Sequence, residues 1–253
     1  MSADPQLGYA PLLEDLLVLY PQLGSHQPAW RAGYDEVAHL AHGWYMRCHR
    51  GVMSVMRLGE AGYAEEAAPI RRSIIEHCLA LRWLAAEGNK ILDTVARGHA
   101  YDTARRSEAV GAAGWTSVAL DEFARAIASD DPDSRDASGD HMLHFANRIA
   151  QYGDKHTWPG YLAECSKTHP SYESSMSYVQ VPSGALLWEP KDPLWQVPFC
   201  TTHMLEAVLA VRTAFDPSPW ETEVQRITQQ FLVVTDAVRK SKGLPAVDCN
   251  TGT

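Results

Sequence analysis

AEEAAPIRRSIIEHCLALRWLAA, residues 64–86, decides the architecture. Ile70, Ile74, His77, Leu81 and Leu84 recur at steps of three and four, with Ile75 and Leu79 beside them. That is the period of an α-helix buried along a broad face. Pro69 falls in the first turn, where a missing N–H costs little. Gly59 and Gly62 punctuate the turn before it. The stretch reads as the central helix of a bundle.

The same period continues on both sides. From Trp30 to Leu58, one stripe carries Val37, Ala41, Trp44, Cys48, Val55 and Leu58; a second carries His42, Met46, His49, Met53 and Met56. Residues 8–20 form a short amphipathic stretch, and helices are expected over 90–111, 116–128, 141–152, 158–167 and 171–179. Two longer ones, 199–215 and 219–241, close the chain. Ser218-Pro219-Trp220-Glu221 has the form of a capping box with proline at the first helical position. In the last helix Trp220, Val224, Ile227, Phe231, Val234 and Val238 make the expected buried stripe. Between these blocks lie an acidic break, 129–140, and the irregular QVPSGALLWEPKDPLWQVP, 180–198, with four prolines and two tryptophans. A stretch of that kind in a compact domain serves as a strap or a binding loop. The expectation is therefore an all-α fold, a single multi-helix bundle over residues 1–243 with a long Pro/Trp-rich loop, and a flexible tail over 244–253.

Composition narrows the function. Lys and Arg number 22 against 31 Asp and Glu, a formal net charge of −9, which argues against a broad electrostatic grip on nucleic acid or anionic lipid. Five scattered cysteines without a Cys-x-x-Cys suit a reducing compartment. The N-terminal run lacks a basic leader, and no segment approaches the roughly 18 apolar residues of a membrane span. A cytoplasmic location, no membrane and no cofactor are the expectations. Partner readings are a small molecule first, a homodimer as a further option, and nucleic acid disfavoured by charge.

The chemically unusual group is Arg72, Glu76 and His77. Arg72 and Glu76 are spaced i,i+4, and His77 lies on the adjoining apolar stripe. Charge near a core is expensive unless paired. Two readings follow: a ligand pocket in which Arg72 anchors an anion, Glu76 orients it and His77 exchanges a proton, or a buried Arg–Glu staple with a hydrogen-bonded core histidine. Glu76 and His77 are then the candidate catalytic groups, and Arg72 and Trp188 candidate binding groups.

The run PIRRSIIEHCLALRWLAAEG resembles an uncharacterised bacterial family of helical proteins, a domain of unknown function. Its members carry an Arg-x-x-x-Glu helix and, about a hundred residues later, a Tyr…Ser-x-x-His segment. Arg72 and Glu76 match the first; Tyr172 and Ser177 of PSYESSMSYVQVPSG match the second, and Gln180 stands at the family's histidine position. The resemblance covers about residues 40–190. It implies a helical fold and adds Tyr172, Ser177 and Gln180 to the candidate binding residues, without an activity. Arg72-x4-His77 also resembles the Arg-x4–6-His pattern of the HEPN superfamily of helical nucleotide-binding proteins and ribonucleases. That resemblance implies a metal-independent ribonuclease in which Arg72 stabilises phosphate charge and His77 moves a proton at the 2′-hydroxyl. A third reading is a non-catalytic homodimer. Two ligand-type spacings, Glu36-x-x-His39-x-x-His42 and Asp140-His141-x-x-His144, are weaker metal readings, and His203-x-x-Glu206 has the reverse of the order carboxylate-bridged bundles use.

Overall fold

A computed structural model describes residues 5–19, 29–114, 118, 122, 136–180, 183–187, 195–216, 218 and 220–245. The expected helix 116–128, most of the acidic break, Trp188 and the end of the tail lie outside them. The helices are α1 (Tyr9–Leu19), α2 (Ala38–Glu60), α3 (Ala68–Glu87), α4 (Leu92–Ala112), α5 (Phe145–Tyr152), α6 (Thr157–Thr168), α7 (Tyr172–Met176), α8 (Gln196–Val211) and α9 (Glu221–Ser241). Short 3-10 turns precede α1, α4 and α5 and follow α8. The all-α expectation holds.

Helix α3 sits at the centre as its apolar width requires, touching α2, α5, α6 and α8. It shares that place with α8. Cys200, Met204, Leu205, Ala207, Val208, Ala210 and Val211 are all buried there, and α1, α2 and α3 surround it. In α2 the buried stripe is Ala41, Tyr45, Cys48, Val52 and Val55, at steps of four and three. His42, on the expected second stripe, is exposed instead. Gly51 lets α2 and α3 close on each other: a Cβ there would meet Ile74 Cγ1 at 2.9 Å, inside normal contact. Helix α9 lies on α1, where the Tyr9 hydroxyl is 2.9 Å from Thr235 Oγ1 and the Tyr9 ring meets Phe231 edge-on. Its burial fades along its length, complete at Val224 and Ile227 but partial at Phe231, Val234 and Val238.

Three local expectations change. Helix α3 starts at Ala68, four residues after the expected start, because Ala64 turns its carbonyl back to accept from Arg71 Nη1 at 2.6 Å. Helix α9 starts at Glu221 with Trp220 as an N-cap that makes no side-chain cap, and the Ser218 hydroxyl is buried without a partner among the described residues. Burying the Trp220 indole edge-on against Phe215 takes precedence over the capping box. The box forms elsewhere, reciprocally between Ser171 and Ser174 at 3.0 Å each way. Within 180–198 there is some regular structure. Val179–Gln180 (β1) pairs antiparallel with Ala185–Leu186 (β2), and Gly184, at φ +70°, supplies the turn's left-handed residue. Helix α8 begins inside the same stretch at Gln196.

Candidate functional site

Arg72 and Glu76 form a pair with each other, Nε to Oε1 at 3.1 Å, with about a third of each side chain exposed. Tyr161 of α6 closes over them, donating its hydroxyl to Glu76 Oε1 at 3.2 Å beneath the Arg72 guanidinium, 5.3 Å from the ring. Arg72 Nη1 also lies 3.4 Å from His169 Nε2. His77 faces elsewhere, since five residues turn a helix well away from its starting face. Tyr172 is 80% exposed, Ser177 reaches Glu65 Oε2 at 3.5 Å, and Gln180 lies in β1. Arg72 and Glu76 are therefore brought together with Tyr161, and His77 and Tyr172 are not part of that group. None of the three clefts below is lined by Arg72, Glu76, His77 or Tyr172.

His77 is half-buried, and its Nδ1 lies 2.7 Å from the Ser73 carbonyl. A carbonyl only accepts, so the proton sits on Nδ1 and Nε2 is the basic nitrogen. Burial pulls its pKa below the ordinary 6.5; the Ser73 bond and Glu76 oppose this, and Arg47 and Arg148 add to it. With the folded value below the unfolded one, the unfolded chain binds more protons between them, so stability is lost as pH falls from about 6.5 through the folded value. The urea midpoint of the wild type is expected to drop over that window more steeply than that of His77→Gln. Parallel curves would remove His77 as the cause.

The fully buried charge is the neighbour, Arg71. Its Nε meets Glu164 Oε2 of α6 at 2.9 Å, with 0% and 4% of the side chains exposed. Its guanidinium lies 4.7 Å from the Trp195 ring centroid, and Nη2 has no acceptor among the described residues. Lys167, from the same helix as Glu164, bonds Glu65 at 3.0 Å and flanks the same indole. Burial keeps the Glu164 carboxyl above its ordinary range even beside Arg71. A signal for Arg71 was present in the chain: it precedes Ile74, Cys78 and Leu81 by three, seven and ten residues, so it shares their buried stripe.

The first metal spacing leaves Glu36, His39 and His42 exposed along the start of α2. In the second, Asp140 is held by Arg97 Nε through both oxygens, at 3.1 and 3.0 Å, and His141 Nδ1 lies 3.1 Å from the Ser138 carbonyl. Among the described residues, the ligand-type side chains that do converge are Cys78 of α3 with His203 and Glu206 of α8. His203 Nδ1 is 3.0 Å from Glu206 Oε2. Burial opposes charge on this imidazole, but Cys78 and Glu206 outweigh it and push its pKa up to about 10.

Among the described residues, clefts open between the helices. One, about 720 Å³, lies where α2, α3, α4 and α5 meet, walled by Trp44, Trp83 and Tyr101 with His99, His144, Arg148 and the carboxylates of Asp102 and Asp140. Gly98 lets Leu143 pack against α4, since a Cβ there would collide with that side chain. Arg148 is half-buried, and its Nε has no acceptor among the described residues. Burial pulls its pKa below the usual arginine value, against the fields of Glu76 and Tyr161. A second cleft, about 570 Å³, runs between α2 and α3 past Arg47, Arg50 and Ser73. The third, about 610 Å³, is bounded by Arg82, Tyr152, Asp154 and Glu206. Among the described residues no helix is long and apolar enough to cross a membrane.

A helical bundle carrying an Arg-x-x-x-Glu helix at its centre and an aromatic cleft beside it is the class these features define. The chain belongs to the family of unknown function DUF5677, whose model matches residues 38–185, more than half its length. No curated protein and no solved structure matches it.

Proposed function

We propose that the protein binds a small molecule in the cleft between α2, α3, α4 and α5, and that the ligand is a planar anion. The observation that carries this reading is Arg148: a half-buried cation whose Nε lacks an acceptor among the described residues, in a wall shared with Trp44, Trp83 and Tyr101. An unsatisfied buried donor is costly, and a carboxylate or phosphate oxygen removes that cost while making a charge-assisted bond. The Trp44 indole and the Tyr101 phenol supply flat apolar area for a ring. The volume of about 720 Å³ is that of a metabolite-sized site. His77, whose pKa burial lowers first and the charge of Arg148 lowers further, lies within reach of the same field. Binding, not turnover, is the activity proposed.

Calorimetric titration with a panel of aromatic carboxylates and nucleoside monophosphates tests it. At least one is expected to bind, and Arg148→Met to weaken that ligand by about tenfold to a hundredfold, the worth of a charge-assisted bond of about 1.5–3 kcal/mol. Arg82→Ala and Arg50→Ala, in the other two clefts, should leave the affinity unchanged. Unaltered binding by Arg148→Met would move the site elsewhere.

A further inference from the structure

We infer that Cys78, His203 and Glu206 form a binding site for a single zinc-class divalent ion, at the edge of the third cleft and separate from the proposed anion site. One sulfur, one imidazole nitrogen and one carboxylate oxygen, from two packed helices, lie within 4.8 Å of one another. Three atoms so spaced always have a common point within about 2.8 Å of each (4.8 Å divided by √3). From that bound, a contraction of about 0.5–0.8 Å brings them to the ~2.0–2.3 Å of zinc–nitrogen, –oxygen and –sulfur bonds. The helices fix the geometry: His203 and Glu206 are spaced i,i+3 on α8, and α3 and α8 pack directly. Phe199 holds the imidazole edge-on at 4.3 Å between ring centroids.

The surroundings suit an ion that enters from one side. Cys78 is buried, whereas 17% of the His203 side chain and 27% of the Glu206 side chain are exposed, and Glu206 lines the third cleft. Behind Cys78, the Cys48 sulfur lies at 3.7 Å and is fully buried. Once Cys78 binds as a thiolate, the Cys48 thiol becomes a donor to it, the kind of outer contact that steadies a metal-bound sulfur. A mixed sulfur, nitrogen and oxygen set selects zinc, cobalt or ferrous iron over calcium and magnesium, which take oxygen ligands. Three protein ligands leave a fourth position open towards the cleft. Without an ion, the Cys78 thiol donates to the His203 carbonyl at 3.2 Å and His203 pairs with Glu206, so the same residues also make a satisfied hydrogen-bonded corner.

The full chain, stripped with chelator, is titrated with Co²⁺ and then Zn²⁺. The expected result is one ion per chain and a thiolate-to-cobalt charge-transfer absorption that zinc bleaches. His203→Gln and Glu206→Gln, at partly exposed positions, should fold as judged by circular dichroism and weaken cobalt binding at least tenfold. Cys78→Ser should abolish the charge-transfer band. If that variant fails to fold, loss of the charge-transfer band in His203→Gln and Glu206→Gln, which places the cobalt-bound thiolate beside those two side chains, decides in its place. No band with the wild type, or binding unaffected in His203→Gln and Glu206→Gln, overturns the inference.

Discussion

Arg71→Ala is expected to destabilise the protein by about 3–5 kcal/mol, the cost of breaking one side of a buried ion pair. The substitution leaves Glu164, 3% exposed, with no cation on its ionised oxygen. It also removes the 2.6 Å bond to the Ala64 carbonyl and the guanidinium above Trp195. Folded domains have only about 5–15 kcal/mol in hand, so the variant sits near the edge of folding. Two further results follow from the same physics. The Glu164 carboxyl, already held above its ordinary value by burial, rises further once Arg71 is gone. A folded pKa above the unfolded one gives stability that is present below the unfolded value and lost as pH rises through the folded one. The deficit of Arg71→Ala should therefore be largest at neutral pH and shrink on acidification from the raised value towards the ordinary carboxylate range. Second, Arg71→Met combined with Glu164→Leu should recover most of the loss, because two apolar side chains leave no charge behind. Urea denaturation of the single and double variants at two pH values measures all of this. A single variant within 1 kcal/mol of the wild type would show that the pair is not what holds α6 to α3.

Gly88→Ala should cost about 1–3 kcal/mol in backbone strain alone. Gly88 ends α3 at φ +57°, ψ −137°, a region that only glycine occupies freely. A Cβ there also runs into the Gly33 carbonyl. That carbonyl accepts from the Asn89 amide at 2.7 Å, so yielding to the methyl breaks a bond worth about 1 kcal/mol. Asn89 in turn caps Val37 N at 3.3 Å and bonds Asp35, while Tyr34 donates to the Ala85 carbonyl at 2.8 Å. The entry to α2 is thus built on the exit of α3. Thermal unfolding compared with Gly111→Ala, a helical glycine with open space around it, isolates the effect. A loss no larger than at that control position would mean the turn has another conformation.

The fold was legible because apolar period survives without knowledge of neighbours: the stripes through α2, α3 and α9 each name an inward face. Boundaries were less so. Ala64 and Trp220 were displaced by side-chain contacts seven and five residues away, a carbonyl taken by Arg71 and an indole taken by Phe215, which the helical period does not encode. The candidate site shows the same division. Arg72 and Glu76 were found through their spacing and do pair, whereas Arg71, one position away, turns some 100° further round the helix and carries the buried charge. Its partner lies 93 residues along the chain. The aromatic cleft draws Trp44, Tyr101 and Arg148 from three helices, so no short motif could announce it. Cys78 and His203 likewise meet only when α3 and α8 pack.

Helix α6 has a single fully buried side chain, and it is the carboxylate of Glu164. An apolar seam can slide by a turn and still find oil on the other side; a carboxylate that must meet one guanidinium cannot. The docking of α6 is thereby keyed, its register set by a unique match of opposite signs and not by how much volume it fills.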